Sequence, residues 1–264
     1  MSEQHIAVAA EPSSTGQDPL AIGQSQAGNW LIQRMHPADF DLLRPHLCRV
    51  PIANGDRLAG AGSAIETVCF PESGVAGFLD VLDDGRRLAV GLLGREGFVG
   101  WPLLMGNDRW PHEVMARGRD GTALQIDASR LKQAVAVSPR LGDFLVRYAS
   151  AFVTQMSRTL VSNLIHSIER RTARWLLLYH DRLDTDELAI THEELSIMLG
   201  VRRASVTEAL HQLEGSGGIR GHRGKLVIRD RAALVALTCE TYGQAEAEYL
   251  RLIETPAAMS DPEA

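Results

Sequence analysis

The chain has 264 residues, of which 45% are apolar and 23% charged, with a formal net charge of −6. That length gives room for two domains with a sizeable core. No apolar run approaches the ~20 residues of a membrane span, and no basic region followed by an apolar core opens the chain, so a soluble cytoplasmic protein is expected. Cys48, Cys69 and Cys239 are odd in number and widely spaced, which gives neither a disulfide framework nor a zinc site.

Residues 1–28 are small and polar, with Pro12, Pro19 and several Gly and Gln, and are expected to be disordered. A short helix opens at His36-Pro37, with Phe40, Leu42 and Leu43 as its apolar contacts. Between residues 48 and 127 the texture changes to short runs of Val, Leu and Ile punctuated by Gly, Pro and Asp-Gly. Candidate strands are 65–70, 75–82, 87–93, 113–116 and 122–126, with Asp83-Asp84-Gly85 as a hairpin turn. Many short strands at close spacing predict a β-barrel or jelly-roll-like sandwich within residues 29–136.

Asp127 caps a short helix to residue 135, and Ser138-Pro139 opens a much longer one that fills residues 137–166. Leu141, Leu145, Tyr148, Phe152 and Met156 form one apolar stripe; Phe144, Ala151, Leu160 and Leu164 form a second, rotated one. Two stripes need two partners, and the barrel and a second subunit are expected, with the first stripe as the dimer interface. Burial within a single chain is the alternative. A further helix over 168–181 turns Trp175, Leu176 and Leu177 inward and leaves Arg170, Arg171 and Arg174 outside.

Residues 191–229 are the most informative stretch. Thr191 followed by Glu194 is a capping box, and Leu195, Met198 and Leu199 give the helix one apolar face. Gly200 supplies the positive φ that ends it. A second amphipathic run turns Val206, Ala209, Leu210 and Leu213 inward and Arg202, Arg203, Ser205, Thr207 and Glu208 outward. After Gly215-Ser216-Gly217-Gly218, residues 219–229 alternate around His222-Arg223-Gly224-Lys225, a turn between two strands. This is the layout of a winged helix-turn-helix, placed in residues 167–231, which sets one helix in the major groove of DNA.

The net charge is −4 over residues 1–136, +1 over 137–190, +2 over 191–231 and −5 beyond. The clear basic excess lies in the proposed reading head. Phosphate attraction is screened beyond roughly 8–10 Å, so distant acids cost little. A +2 head is modest, and affinity would lean on two heads acting together. Residues 232–264 predict a helix with Leu234, Leu237, Tyr242, Tyr249, Leu250 and Ile253 inward and an acidic outer face, packed on the winged domain and frayed from 256.

The fold class expected is therefore α+β: an N-terminal β-roll, a long dimerisation helix and a C-terminal winged helix-turn-helix. That order resembles the Crp/Fnr family of bacterial transcription regulators over about residues 35–230. The matching residues are Thr191-His192-Glu193-Glu194-Leu195, Gly200, Arg203-Ala204-Ser205-Val206 and Leu210-x-x-Leu213-Glu214. Upstream, Phe70-Pro71-Glu72-Ser73-Gly74 and Gly94-Arg95-Glu96-Gly97-Phe98-Val99-Gly100 look like turns of the family's sensor barrel. The resemblance implies a homodimer on double-stranded DNA, with RNA polymerase as a further contact.

It also implies a recognition helix that presents Arg, Glu and a second Arg to the base edges. Arg203 matches the first, and a bidentate Arg to guanine is the commonest specific contact in the major groove. Ala204 stands where the glutamate usually is and Glu208 where the second arginine would be, so the usual target sequence is not expected. Glu208 either accepts from a cytosine amino group or is a solvated helix residue. Thr191, His192, Ser205, Thr207, Arg220 and Arg223 are the phosphate-positioning candidates, with Arg202 beside them.

The sensor departs further. Members that bind cyclic AMP carry Gly-Glu-Leu for the ribose and Arg-Ser/Thr-Ala for the cyclic phosphate. Here the stretches read Gly100-Trp101-Pro102-Leu103 and Pro111-His112-Glu113-Val114: no carboxylate follows the glycine, and Glu113 would repel an anion. Candidate effector-pocket residues are Gly97, Phe98, Val99, Gly100, Trp101, His112 and Val114. Cyclic nucleotide is disfavoured, as are an iron–sulfur cluster, because residues 1–35 lack cysteine, and haem, for which His112 stands alone. No metal or other cofactor is expected. An apolar or aromatic ligand in the barrel, a cyclic nucleotide held by non-standard contacts, and no ligand at all stay open. A metal-dependent dioxygenase of the cupin type would need clustered His and carboxylate ligands on strands, so no enzyme is expected. A winged helix serving only protein contact fits poorly with the basic wing and Arg203.

Overall fold

The computed structural model describes residues 23–254; the disorder expected of residues 1–22 and the fraying expected from 256 lie outside the described residues. Residues 23–28 depart from the expected disorder. Gln24–Gln26 is a short 3-10 turn, Ala27 is buried, and the Gly28 N–H donates to Glu72 Oε1. Asn29 caps α1 (Trp30–Arg34): its Oδ1 accepts from the Ile32 N–H, and its Nδ2 donates to the Pro71 and Gly97 carbonyls. One buried amide with satisfied donors thus ties this segment to the sheet edge.

In α2 (Pro37–Leu43), Phe40 and Leu43 are buried, as is the acid Asp39. Asp39 accepts from the Ser138 hydroxyl at 2.7 Å and from two Arg140 nitrogens at 2.9 and 3.0 Å. Burial pushes the Asp39 carboxyl up, and the arginine and serine more than offset this, holding it below the usual carboxylate range. A lowered folded value contributes stability above the unfolded pKa of about 4, and that contribution is lost as pH falls through the folded value. Asp39→Asn is therefore expected to cost about 1.5–3 kcal/mol at pH 7. It should also flatten the acid limb below about pH 4. Thermal melts of both proteins at pH 7 and pH 3 check this; an equal loss at both values would refute the charge-based account.

Seven strands build the roll: β1 (Cys48–Ile52), β2 (Arg57–Ala59), β3 (Thr67–Pro71), β4 (Val75–Val81), β5 (Arg87–Leu93), β6 (Glu113–Arg117) and β7 (Gly121–Asp127). They form two antiparallel sheets in the orders β1-β7-β3 and β2-β6-β4-β5. Five of these strands fall where the apolar runs place them. β1 and β2 were not anticipated, because Pro51 interrupts the alternation of the first and the second has three residues. Both sheets feed one core through Val68, Phe70, Leu124 and Ile126 from one and Phe78, Leu93 and Val114 from the other.

β4 is buried on both faces. Ala76 and Phe78 enter the roll's core, while Val75 and Leu79, each one residue away and so on the opposite face, belong to a second core with Ala89 and Leu92 of β5. That second core continues into Trp175, Leu176 and Leu177 of α5 (Ile168–His180) and Leu195 and Leu199 of α6 (His192–Leu199). The helical C-terminal unit is thus docked on the outer face of the four-stranded sheet.

Between them run α3 (Ala128–Val137) and α4 (Pro139–Ile165). Ser138 Oγ accepts from the Leu141 N–H at the start of α4. Arg174 of α5, expected outside, is only 2% exposed. Its Nε donates to the Thr241 carbonyl at 2.8 Å and its Nη1 to Thr159 Oγ1 of α4 at 3.0 Å, so it joins three segments. Burial pulls the guanidinium down to about 10. Helical spacing had placed it with Arg170 and Arg171, and the tail that covers it is remote in sequence.

The C-terminal unit adds β8 (Glu187–Leu188), α7 (Arg203–Gly215), β9 (Ile219–His222), β10 (Lys225–Ile228) and α8 (Arg231–Thr238). The tail is not the continuous helix expected. It breaks at Cys239, where φ is 52°, resumes as α9 (Gln244–Tyr249) and ends in a π-helical turn, Leu250–Glu254. α8 lies on α5, but Tyr249 and Ile253 join the roll's core instead of extending the winged unit, and Leu250 is 49% exposed rather than inward. No helix among the described residues is long and apolar enough to cross a membrane.

Candidate nucleic-acid interface

The capping box forms as its spacing requires: Thr191 Oγ1 accepts from the Glu194 N–H at 3.1 Å, and Glu194 Oε2 accepts from the Thr191 N–H at 2.8 Å. Gly200 adopts φ 64°, ψ 36°, and its N–H closes α6 on the Ser196 and Ile197 carbonyls. The positive φ is what requires glycine there; a Cβ would also press on the end of the Leu88 side chain of β5, 2.4 Å away. Val206, Ala209, Leu210 and Leu213 bury one side of α7. β9 and β10 pair through His222↔Lys225 and Ile219↔Ile228, with Arg223-Gly224 as the two-residue turn. β8 adds a third strand beside β10, and Glu214 Oε1 of α7 accepts from the Gly221 N–H, fixing the wing to the helix.

Arg202, Arg203, Ala204 and Glu208 are exposed at the start of α7, and Arg220 and Arg223 are exposed on the wing. Among the described residues, none of these four arginines has a carboxylate within 4 Å. Three other cations of this unit are paired: Lys225 with Glu187 at 2.8 Å, Arg182 with Glu96 at 2.7 Å and Arg231 with Asp181 at 2.8 Å. Unpaired guanidinium groups on a helix N-terminus and its wing can bind phosphates without first breaking an ion pair. Ser205 is half-buried. Thr207 Oγ1 lies 3.1 Å from His192 Nδ1 and donates to the Arg203 carbonyl, and the Thr191 hydroxyl serves the cap. Of these hydroxyls, that of Thr207 joins α7 to α6 through His192, and that of Thr191 acts within the α6 cap.

The candidate effector residues come together, but as core. Phe98 stacks on Phe70 with centroids 5.5 Å apart and tilts against Tyr148 at 5.4 Å; Trp101 and Phe78 close on Phe152 at 6.1 and 4.9 Å. A Cβ on Gly97 would fall 1.9 Å from Tyr148 Oη, so α4 already occupies the space above that turn. Val99, Gly100 and Val114 are buried with them, while His112 stands half-buried at the rim. Burial pulls the His112 ring below its usual value, and its Nδ1 has no partner. Glu113 is 3% exposed and held by Arg87 at 3.1 Å and Arg57 at 3.4 Å. Its strand partner is Leu79, which belongs to the second core, so Glu113 lies on the sheet's outer face and not inside the barrel, where it was expected to repel an anion.

The stripe expected at the dimer interface is turned the other way. Leu141, Leu145, Tyr148 and Phe152 are buried against the roll, and Met156 is half-buried beside them. Phe144 and Ala151 of the second stripe are also buried, whereas Leu160 and Leu164 are 61% and 76% exposed. Past its first turn, and besides Asp143, Asn163 and Ile165, α4 leaves outside Val146, Ser150, Val153, Ser157, Leu160 and Leu164, which alternate steps of four and three residues. That is the period of a helix-pairing seam. The serines hide it from an apolar count.

Residues 49–138 match the cyclic nucleotide-binding domain and residues 170–237 the Crp-like helix-turn-helix domain. The fold is similar to that of FixK2 from Bradyrhizobium japonicum, at 19% identity and a TM-score of 0.64, covering 72% of this chain and 96% of that one. A Crp/Fnr-family regulator from Eubacterium rectale is similar at 20% identity and 0.64, covering 80% and 98%. The cyclic di-GMP-responsive regulator CLP from Xanthomonas campestris is similar at 20% and 0.60, covering 74% and 99%. At these identities the likeness is one of fold. Comparison with curated proteins finds no significant sequence match.

Proposed function

From the chain's membership of the Crp/Fnr family of transcription regulators, which its two domain matches carry in that order, we propose a homodimer that reads DNA through α7 and whose barrel takes no cyclic nucleotide. The observation that carries the DNA reading is the set of unpaired, exposed arginines: Arg202 and Arg203 on the helix, Arg220 and Arg223 on the wing. Arg203 is the base-reading candidate, and the others hold phosphates. Ala204 and Glu208 point to a target that differs from the family's usual one.

The dimer rests on the exposed seam from Val146 to Leu164, since a solvent-facing stripe at this period is stabilised by a second helix. Two heads on one duplex also answer the small charge of each. The barrel reading rests on its aromatic filling. The Xanthomonas regulator responds to cyclic di-GMP; in this chain a cyclic nucleotide inside the barrel would have to displace Phe98 or Trp101. Gel retardation of genomic fragments tests both parts. A subset should be retarded, and cyclic AMP or cyclic di-GMP at millimolar concentration should leave the midpoint unchanged. No retarded fragment under any condition would overturn the DNA reading, and a midpoint shifted by either nucleotide would overturn the barrel reading.

A further inference from the structure

A cavity of about 320 Å³ lies outside the barrel, where its rim, α4 and the C-terminal unit meet. Its walls come from all three: Glu96 beside β5, Tyr148 and Phe152 of α4, Arg182 at the end of α5, and Tyr242 and Tyr249 near the C-terminus. Trp30 of α1 closes one side. The volume is at the lower end of the range for small-molecule sites, and the lining combines aromatic faces with several charged side chains.

Two features define what it would hold. The Tyr148 hydroxyl is buried without a hydrogen-bond partner, and so is that of Tyr249. Burial pushes both phenols up, so each keeps its proton at neutral pH. Both oxygens lie out of reach of the cavity, so the two tyrosines contribute ring surface to its wall and no hydrogen bond to a ligand. The lining also carries four carboxylates, on Glu96, Asp181, Glu246 and Glu254, against two arginines. Both arginines are already paired, Arg182 with Glu96 and Arg231 with Asp181, and Glu254 is paired with Arg34 at 2.6 Å. That leaves Glu246 as the lining carboxylate without an ion-pair partner among the described residues, beside aromatic rings that favour a cation on their faces.

We propose that this cavity is a binding site for a small aromatic amine, cationic at neutral pH, seated between the barrel and the DNA-binding unit. The ring stacks among Tyr148, Phe152 and Tyr249, and the ammonium faces Glu246. Because Glu96 belongs to the barrel while Asp181 and Arg182 end α5, a bound amine contacts both sides of the docking interface. It therefore biases how firmly the head is held on the sheet. That regulatory sense rests on the DNA-binding reading; the binding does not.

Calorimetric titration of the full chain without DNA tests the site, with tryptamine as the cationic probe, indole as the neutral one and indole-3-acetate as the anionic one. Tryptamine should bind with a midpoint below about 1 mM, and indole-3-acetate at least tenfold more weakly. Glu246→Gln keeps an oxygen for its bond with the Gly243 N–H. It should weaken tryptamine about fivefold and leave indole unchanged. Ala245→Phe fills the cavity and should abolish both. Absence of tryptamine binding, equal binding of the anion, or Glu246→Gln weakening indole as much as tryptamine each overturns the proposal. A chain that binds tryptamine but retards no duplex refutes only the DNA reading.

Discussion

Arg203→Ala is expected to lower affinity for the chain's own operator by about 1–3 kcal/mol, or roughly 5- to 150-fold, with far less change on random duplex. The side chain is exposed at the first turn of α7 and has no ion-pair partner within 4 Å among the described residues. Alanine is a good helix former, so the fold should survive the substitution. A guanidinium aimed at base edges contributes discrimination because a guanine's two acceptors match its fork. A phosphate contact contributes the same amount on every sequence. Arg223→Ala on the wing is the control: it should weaken all duplexes together and reduce the salt slope by about one. Competition titrations of each variant on specific and random DNA separate the two. Equal losses for Arg203→Ala on both would remove it from the base-reading role.

Val153→Glu combined with Leu160→Glu should convert a dimer into a monomer and cut operator affinity by more than about 100-fold. Each substitution places a carboxylate on the exposed seam of α4, where in the proposed dimer it would face its own copy across a two-fold axis. Like charges confined between two helices repel, and the apolar surface that held the seam is lost. The effect on DNA is large because residues 191–231 carry a net charge of only +2. Joining two such heads raises the effective concentration of the second by a factor that no single contact supplies. Leu145→Ala is the contrasting variant: it opens a cavity under the helix and should cost about 2–5 kcal/mol of stability while leaving the dimer intact. Sedimentation at micromolar concentration decides between them. A stable dimer of the double variant, or a monomeric parent chain, would refute the seam.

The reading head was legible because its signals are local. Thr191 and Glu194 are three residues apart, Gly200 follows the last apolar residue of α6, and Arg223-Gly224 lies between two short strands. Each is a matter of backbone hydrogen bonds or of φ within one or two turns. The strands β3 to β7 were legible for the same reason. β1, with Pro51 at its centre, and α1, five residues held by the cap and long-range bonds of Asn29, carry no period to detect.

Sequence alone therefore determined the order of parts, the capped helix pair with its wing, and the exposed arginines on which the proposed DNA contacts rest. The tertiary structure decided which partner each apolar surface meets. Periodicity shows that α4 has more than one face, but the inner face is the richer in large apolar residues and the outer seam is diluted by Ser150 and Ser157. An apolar count therefore chooses the wrong one. Whether the barrel is hollow depends on how Phe98, Trp101 and Phe152 fill it, and Arg174 is buried only because Thr241 returns to cover it. These outcomes depend on atoms brought together from distant parts of the chain, and no short window of sequence contains both sides of the contact.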